Sequence, residues 1–196
     1  MPAPVEFLFD LGSPYSYLAS TQLEAIERRT GAAVRPVPVV LGAVFKALGG
    51  QQLPHGNRLA WMRRDMAAWA HRYQIPFAFP DAFPTRTILG QRVVLAAAEG
   101  EARNIAMRAL FNAYWGKGHD IADPIVVNEA LVAVGLDGAA LVARADEPAV
   151  KDALRANTEA ALARGVFGVP TFFVGDELFF GNDRIDFVEA AIKRGG

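Results

Sequence analysis

Cysteine is absent from this sequence of 196 residues. Disulfides, thiolate metal ligands, a dithiol redox centre and a protein thiol nucleophile are therefore excluded. Histidine is scarce, and His55, His71 and His119 do not have the spacing of four residues that would place a pair of metal ligands on one helix face. We therefore expect no metal site.

Long apolar runs and an excess of charge of either sign are also missing. No run approaches the roughly 20 apolar residues of a membrane-spanning helix, and residues 1–6 lack the basic and apolar regions of a signal peptide. The 20 basic and 21 acidic residues nearly cancel, which gives no reason to expect nucleic acid or an anionic membrane as a partner. With 52% hydrophobic residues, the chain is predicted to be a folded globular protein of the cytoplasm.

The first strongly patterned stretch is an apolar strand that runs into the start of a helix. Residues 5–9 are predicted to form a buried, central strand. Ser13 suits a helix N-cap and Pro14 suits the first helical position, so a helix is predicted over residues 14–29. The amides and dipole at such a helix start would stabilise an anion, including a thiolate. Ser13 and Ser16 have the spacing of the two cysteines in redox proteins of the thioredoxin type.

The remaining pattern predicts one α/β domain with a helical insertion. Residues 34–40 are predicted to form an edge strand, parallel to the first, because Pro36 and Pro38 remove two ladder donors. Helices are predicted within residues 43–146, among them 57–73, 87–98 and 102–115, and a hairpin over 171–174 and 177–180 precedes a last helix. The expected domains are residues 1–42 with 147–196, and the inserted residues 43–146.

Two loops near the C-terminus have residue types suited to holding a peptide. Pro170 precedes a strand and is predicted to follow a cis bond, which would turn the N–H and C=O of Val169 outward to pair with an extended ligand. Asn182 or Asp183 is predicted to cap the last helix, and that helix start could also bind the charged groups of an amino acid. Together with the Ser13 hydroxyl, these features suit a small peptide with a central thiol, for which glutathione is the obvious candidate.

Three motifs of the chain resemble a known family: FDLGSPYSYLA at residues 9–19, FGVPTFF at 167–173 and FFGNDR at 179–184. They are similar to the motifs of 2-hydroxychromene-2-carboxylate isomerases, which belong with the kappa-class glutathione transferases in the DsbA-like branch of thioredoxin folds. The resemblance covers the whole chain. It implies a thioredoxin-like (DsbA-like) α/β fold with a helical domain between its βαβ and ββα halves. It also implies glutathione as cofactor, a small aromatic acid as substrate and a homodimer.

The resemblance further implies roles for individual residues. Ser13 matches the serine that hydrogen-bonds the glutathione sulfur and favours its thiolate. Val169 matches the backbone clamp of the cysteinyl unit, and Asn182 and Asp183 match the groups that bind the γ-glutamyl end.

Residues 46–58 supply three more positions that the family pattern suggests. Asn57 matches an asparagine beside the thiol and the substrate, and Lys46 resembles a lysine near the substrate. Arg58 stands about where transferase relatives have a basic residue for the glycyl carboxylate. The ordinary alternatives stay open, since surface lysines and arginines are usually only solvated and Asn57 would suit a helix N-cap.

The leading hypothesis is a glutathione-dependent isomerase of aromatic hydrocarbon catabolism. It would interconvert 2-hydroxychromene-2-carboxylate and trans-o-hydroxybenzylidenepyruvate, or a close analogue, by reversible thiolate addition. One alternative is a kappa-type glutathione transferase or peroxidase that acts on electrophiles. A second alternative is a non-catalytic glutathione-binding module that kept the fold and lost the chemistry.

Overall fold

The computed structural model describes residues 5–50 and 54–195; residues 1–4, 51–53 and 196, which the predicted domains include, lie outside the described residues. The N-terminal half contains β1 (Val5–Phe9), α1 (Pro14–Ser20), α2 (Leu23–Thr30), β2 (Val34–Pro38), α3 (Leu41–Ala47), α4 (Gly56–Tyr73) and α5 (Ile88–Ala96). The C-terminal half contains α6 (Glu101–Phe111), a π-helical turn (Asn112–Gly116), α7 (Pro124–Val132), α8 (Gly138–Arg144), α9 (Pro148–Ala163), β3 (Thr171–Val174), β4 (Glu177–Phe180), a 3₁₀ turn (Asn182–Arg184) and α10 (Ile185–Arg194).

The four strands of the described residues form one sheet in the order β2-β1-β3-β4. β1 pairs in parallel with β2, with Val5 opposite Val34, and antiparallel with β3, with Val5 opposite Val174. β1 is therefore interior and β2 lies at an edge, which confirms both predictions: a buried apolar run suits an interior strand, and the prolines of β2 suit an edge. β3 and β4 pair antiparallel as the predicted hairpin.

The single helix predicted over residues 14–29 is two helices, so that prediction is wrong. α1 ends at Ser20, and α2 begins after residues 21–22. The hydroxyls of Ser20 and Thr21 donate to backbone carbonyls one turn earlier, in both cases at 2.7 Å. Hydrogen bonds of this kind compete with the helical ladder, so the chain turns before a helix resumes.

Between β2 and β3, every regular element of the described residues is helical, as the sequence predicts. The predicted helix over 102–115 is shorter, because α6 ends at Phe111 and a π-helical turn follows it. Such turns widen the ladder by one residue and are frequent at functional sites. This turn contains Tyr114 and Trp115, both fully buried. No helix among the described residues has the length and apolar composition needed to cross a bilayer.

The largest hydrophobic core joins the sheet to helices of the predicted insertion. Phe7 and Phe9 of β1 stack with ring centroids 5.5 Å apart, and Phe9 packs on Phe111 of α6, also at 5.5 Å. All three side chains are fully buried, and burial of each contributes about 1.5–3 kcal/mol. Both predicted domains contribute to this core, and the boundary between them stays a prediction.

Candidate functional site

Ser13 lies between β1 and α1, with 4% of its surface exposed. Its Oγ accepts the N–H of Ser16 at 3.2 Å, and Pro14 takes the first helical position, which confirms the predicted N-cap. The Ser13 hydroxyl donates to the carbonyl oxygen of Val169, 3.2 Å away.

The peptide bond between Val169 and Pro170 is cis, which confirms that prediction. The Val169 carbonyl accepts the hydrogen bond from the Ser13 hydroxyl, and both residues line the cavity described below. Val169 therefore presents a backbone acceptor beside the hydroxyl. The predicted pairing of the Val169 backbone with an extended ligand stays a prediction. A second cis bond, between Phe83 and Pro84, was not predicted from the sequence.

The buried carboxylate of Asp10 anchors the loop before Ser13 through hydrogen bonds. Its Oδ1 accepts the N–H of Gly12 and the hydroxyl of Thr87, both at 2.8 Å, and its Oδ2 accepts the N–H of Leu41 at 2.9 Å. Burial raises the pKa of Asp10, while these three donors favour the ionised form. The carboxylate thus ties the loop to the starts of α3 and α5. Sequence analysis gave Asp10 no role, although an acidic residue at the end of an apolar strand was a signal for one.

Gly12 is the small residue that makes this close packing possible. A Cβ added there would lie 3.2 Å from Cγ2 of Thr87 and 3.3 Å from Oδ1 of Asp10. A larger side chain would therefore require Thr87 or Asp10 to move.

A cavity of about 340 Å³ opens at this point, with Ser13 and Val169 in its wall. Pockets for small molecules have volumes of about 300–1,000 Å³, so this cavity suits a ligand of one or two rings. Most of its lining is apolar: Leu41, Phe45, Leu59, Met62, Met66, Phe79 and Phe83. Among the described lining residues, only Asp10 and Arg58 carry a charge.

Trp115 packs against Phe79 and Phe83, two aromatic residues of the cavity wall. Its Nε1 donates to the carbonyl of Leu11 at 2.8 Å. Its ring stacks on Phe77 and packs against Phe79 and Phe83, with centroids 5.9 and 5.8 Å away. The π-helical turn therefore holds both the chain just before Ser13 and the proline-rich segment that forms the wall.

Asn182 and Asp183 form the 3₁₀ turn before α10. The predicted cap is wrong, because the chain enters α10 through that turn and Arg184 takes the N-cap position. Within the described part of the chain, no side chain caps the first amides of α10. Asn182 is 4% exposed, and its Nδ2 has no hydrogen-bond partner among the described residues. Its carbonyl accepts the hydroxyl of Tyr73 at 3.3 Å. A buried amide without a partner costs about 1–3 kcal/mol, which a ligand acceptor would offset.

Lys46 and Asn57 are exposed, in the last turn of α3 and the first turn of α4. Neither lines the cavity, whereas Arg58 does. The ordinary alternative for Asn57 is wrong, because His55 takes the N-cap position and α4 begins at Gly56. The roles of Lys46 and Asn57 toward substrate and cofactor stay predictions.

Comparisons with known proteins show which family this chain belongs to. The family model of the DSBA-like thioredoxin domain matches residues 4–193. The 2-hydroxychromene-2-carboxylate isomerase of Sphingobium xenophagum is 32% identical to this chain, over 97% of the chain and 98% of that protein. Glutathione S-transferase kappa 2 of Caenorhabditis elegans is 27% identical, over 92% of this chain and 88% of that protein.

The fold comparison agrees. A solved structure of 2-hydroxychromene-2-carboxylate isomerase has a TM-score of 0.85 and 31% identity, covering 97% of this chain and 94% of that one. Predicted family and predicted fold are thus both confirmed. The chain belongs to the DsbA-like thioredoxin family and, within it, to the 2-hydroxychromene-2-carboxylate isomerases.

Proposed function

We propose that this protein is a glutathione-dependent isomerase that interconverts 2-hydroxychromene-2-carboxylate and trans-o-hydroxybenzylidenepyruvate, or a close aromatic analogue. The observation that carries the proposal is the hydrogen bond of 3.2 Å from the Ser13 hydroxyl to the Val169 carbonyl, in the wall of an apolar cavity. The names of the related isomerases support the reaction, and the kappa-class relative supports glutathione.

The residues of the site fit glutathione. Ser13 would hold the sulfur, the backbone of Val169 would pair with the cysteinyl unit, and Asn182 with Asp183 would bind the γ-glutamyl end. The unpartnered Nδ2 of Asn182 is an independent sign of a ligand there, since a buried donor of this kind normally has an acceptor. Lys46 and Asn57 would approach the substrate from the ends of α3 and α4.

When bound, glutathione supplies a thiolate that can add to a conjugated carbon, permit rotation about the resulting single bond and leave again. The Ser13 hydroxyl would donate its hydrogen bond to the anionic sulfur instead of to the Val169 carbonyl, with the proton staying on Oγ. A hydrogen bond to the charged form lowers the thiol pKa. The carbonyl of Val169 would then accept a ligand N–H, so that no buried polar group loses its partner. The amide of Ser16 keeps Oγ in position throughout.

Replacement of Ser13 by alanine tests the proposal. We expect kcat/KM for the isomerisation to fall roughly 100-fold, by analogy with the loss of one oxyanion donor, and the pKa of the bound thiol to rise, as read from the ultraviolet absorbance of the thiolate. Lost capping would also cost about 1 kcal/mol of stability, so folding is checked by circular dichroism.

Ser16→Ala is the matched control. The Ser16 side chain is fully buried, and its Oγ has no hydrogen-bond partner among residues 5–50 and 54–195. Only its backbone N–H serves Ser13, and alanine keeps that group, so activity should stay unchanged. Equal activity of Ser13→Ala and the wild type would remove Ser13 from the mechanism and refute the proposal.

A kappa-type transferase or peroxidase is the second candidate, because the kappa-class relative matches over nearly the whole chain and the same hydroxyl would serve. A panel of the chromene carboxylate, a chloronitroaromatic compound and a hydroperoxide separates the reactions. Turnover of the last two without the first would favour the transferase or peroxidase. Glutathione binding without turnover of any of them would favour the non-catalytic module.

We also propose a cytoplasmic homodimer, an expectation that comes from the family resemblance. Sedimentation equilibrium of the purified chain tests the dimer. A single species at the 21.1 kDa of one chain would contradict it.

A further inference from the structure

A second cavity, of about 310 Å³, lies between the edge strand β2 and the helices packed beside it. Its wall contains Val37 of β2, Leu95 of α5 and one face of α9 that includes Ala149 and Asn157. The described wall shares no residue with the cavity at Ser13. The volume lies within the range of small-molecule sites, so this second cavity is large enough for a ligand of its own.

Three arginines from three different elements line the second cavity. They are Arg35 of β2, Arg103 of α6 and Arg144 of α8. The acidic residues of the described wall are Glu99 and Glu147, whose side chains are 76% and 51% exposed. Positive charge therefore exceeds negative charge in the described wall, and an excess of arginine favours an anionic ligand.

Arg103 is the fixed member of the three arginines. Its Nη2 donates to the carbonyls of Leu95 and Ala97 at the end of α5, at 3.2 and 3.3 Å, and its Nη1 donates to Glu99 at 3.0 Å. Its side chain is 12% exposed. Because these contacts hold the guanidinium in place before a ligand arrives, its charge is preorganised and binding orders little further side-chain motion.

Arg35 and Arg144 are held, within the described chain, only by exposed ion pairs. Arg35 lies 3.2 Å from Glu6, and Arg144 lies 3.7 Å from Glu147. Both arginine side chains are more than half exposed, and pairs of this kind contribute little to stability. Glu6 has a second partner, Arg164, at 2.7 Å. The two arginines can therefore turn toward a ligand at small cost.

The rest of the wall offers backbone amides at one end and apolar surface elsewhere. α9 begins at this cavity with Ala149 as its second residue, and no described side chain caps the first amides of this 16-residue helix. Those amides add hydrogen-bond donors and the positive end of a helix dipole to the three arginines. Val37 and Val150, each 8% exposed, supply apolar surface. The cavity thus suits a molecule with an anionic group and a small apolar body.

We propose that the second cavity binds a small phosphate ester, with the phosphate among the three arginines and the apolar body against Val37 and Val150. A phosphate monoester carries a charge of about −1.5 to −2 near neutral pH and three acceptor oxygens. These oxygens point in different directions and can accept from guanidinium groups on several elements, whereas a carboxylate accepts in one plane. The assignment goes beyond the isomerase activity and does not depend on it, because the two cavities have no described lining residue in common.

Phenyl phosphate is the probe, and its binding is measured by calorimetry at about pH 8, where the ester is doubly ionised. The wild type should bind it about 10-fold more tightly than inorganic phosphate, which lacks the apolar body, or phenol, which lacks the charge. Arg35→Met and Arg144→Met should each weaken binding about 10-fold, because each removes a charged donor. Arg155→Met is the matched control and should bind like the wild type, since Arg155 is exposed on α9, pairs with Asp152 at 2.9 Å and does not line the cavity.

Ala153→Glu tests the site without removing an arginine. Ala153 lies on the face of α9 that lines the cavity, and glutamate is a good helix former. Its carboxylate should pair with the arginines and repel the phosphate, so binding of phenyl phosphate should be lost. Circular dichroism checks that each variant is folded. Undiminished binding in this variant would place the ester elsewhere and overturn the proposal.

Arg58→Met separates the two cavities, because Arg58 lines the cavity at Ser13 and not the second one. We expect this variant to bind phenyl phosphate as the wild type does. If Arg58→Met weakened binding and Arg144→Met did not, the ester would lie in the cavity at Ser13 and the proposal would be wrong. Absence of binding at millimolar ester, or equal affinity of the wild type for phenyl phosphate and inorganic phosphate, would also overturn it.

Discussion

Trp115→Phe should destabilise the protein strongly, because the indole joins the Ser13 loop to the cavity wall. The change removes the hydrogen bond of 2.8 Å from Nε1 to Leu11 and leaves that carbonyl without a donor, at a cost of about 1–3 kcal/mol. Trp115 is fully buried, and the smaller ring leaves a gap against Phe77 that adds about 1 kcal/mol. The free energy of unfolding should therefore fall by about 2–4 kcal/mol.

Urea titration followed by circular dichroism measures that loss. The urea concentration at the midpoint of unfolding should fall. The slope of the unfolding free energy against urea concentration should stay unchanged, since the area exposed on unfolding is nearly the same. Trp61→Phe is the control, because Trp61 is 62% exposed on α4 and should change stability by less than about 0.5 kcal/mol. If both variants lost the same small amount, the support assigned to Trp115 would be wrong.

Two further predictions concern the same region. Thr87→Val removes the hydroxyl that donates to Asp10 at 2.8 Å and should lower the free energy of unfolding by about 1.5–3 kcal/mol in urea titrations. Thr87→Ser retains a hydroxyl and should retain most of the wild-type stability. Equal losses of stability in the two variants would contradict the role of this hydrogen bond. Burial raises the pKa of Tyr17 from 10.0 to about 12, so between these values the unfolded chain releases a proton that the folded chain retains, and stability falls as pH rises. Tyr17→Phe should reduce that alkaline decline in melting temperature, and an unchanged slope would show that Tyr17 does not cause it.

The strands and the first helix start were predictable because their signals are local. An apolar run marks β1, two prolines place β2 at an edge, and the pair Ser13-Pro14 marks the start of α1. The interruption after α1 was not predictable from helical periodicity, since hydroxyls that bond backward to carbonyls cause it. The caps predicted at Asn57 and at Asn182 or Asp183 were wrong for a related reason. Capping residue types show where a cap is possible, and the path of the chain decides whether one forms.

Residues of the candidate site that belong to sequence motifs could be predicted. Residues whose partners lie far along the chain could not. Ser13 and Val169, which the motifs contain, are joined by a hydrogen bond in the cavity wall, and their roles toward glutathione stay predictions. The roles of Asp10 and Trp115 depend on partners far along the chain, Thr87 and Leu11, which no local pattern connects. Arg58 faces the cavity while its neighbour Asn57 does not. Adjacent helical residues point about 100° apart, so an error of one position in placing the helix start changes which of them faces inward.

The hydrogen bond between Ser13 and Val169 joins residues 156 positions apart. During synthesis, β1 and the loop after it leave the ribosome long before β3, the strand that covers one of their edges. A nascent chain that ends in α9 therefore exposes an apolar strand with an open edge, which favours association with other chains. Completion of the sheet and assembly of the candidate site are the same late event, so a premature stop before residue 169 would leave a chain that is prone to aggregate and lacks the Val169 carbonyl of that site.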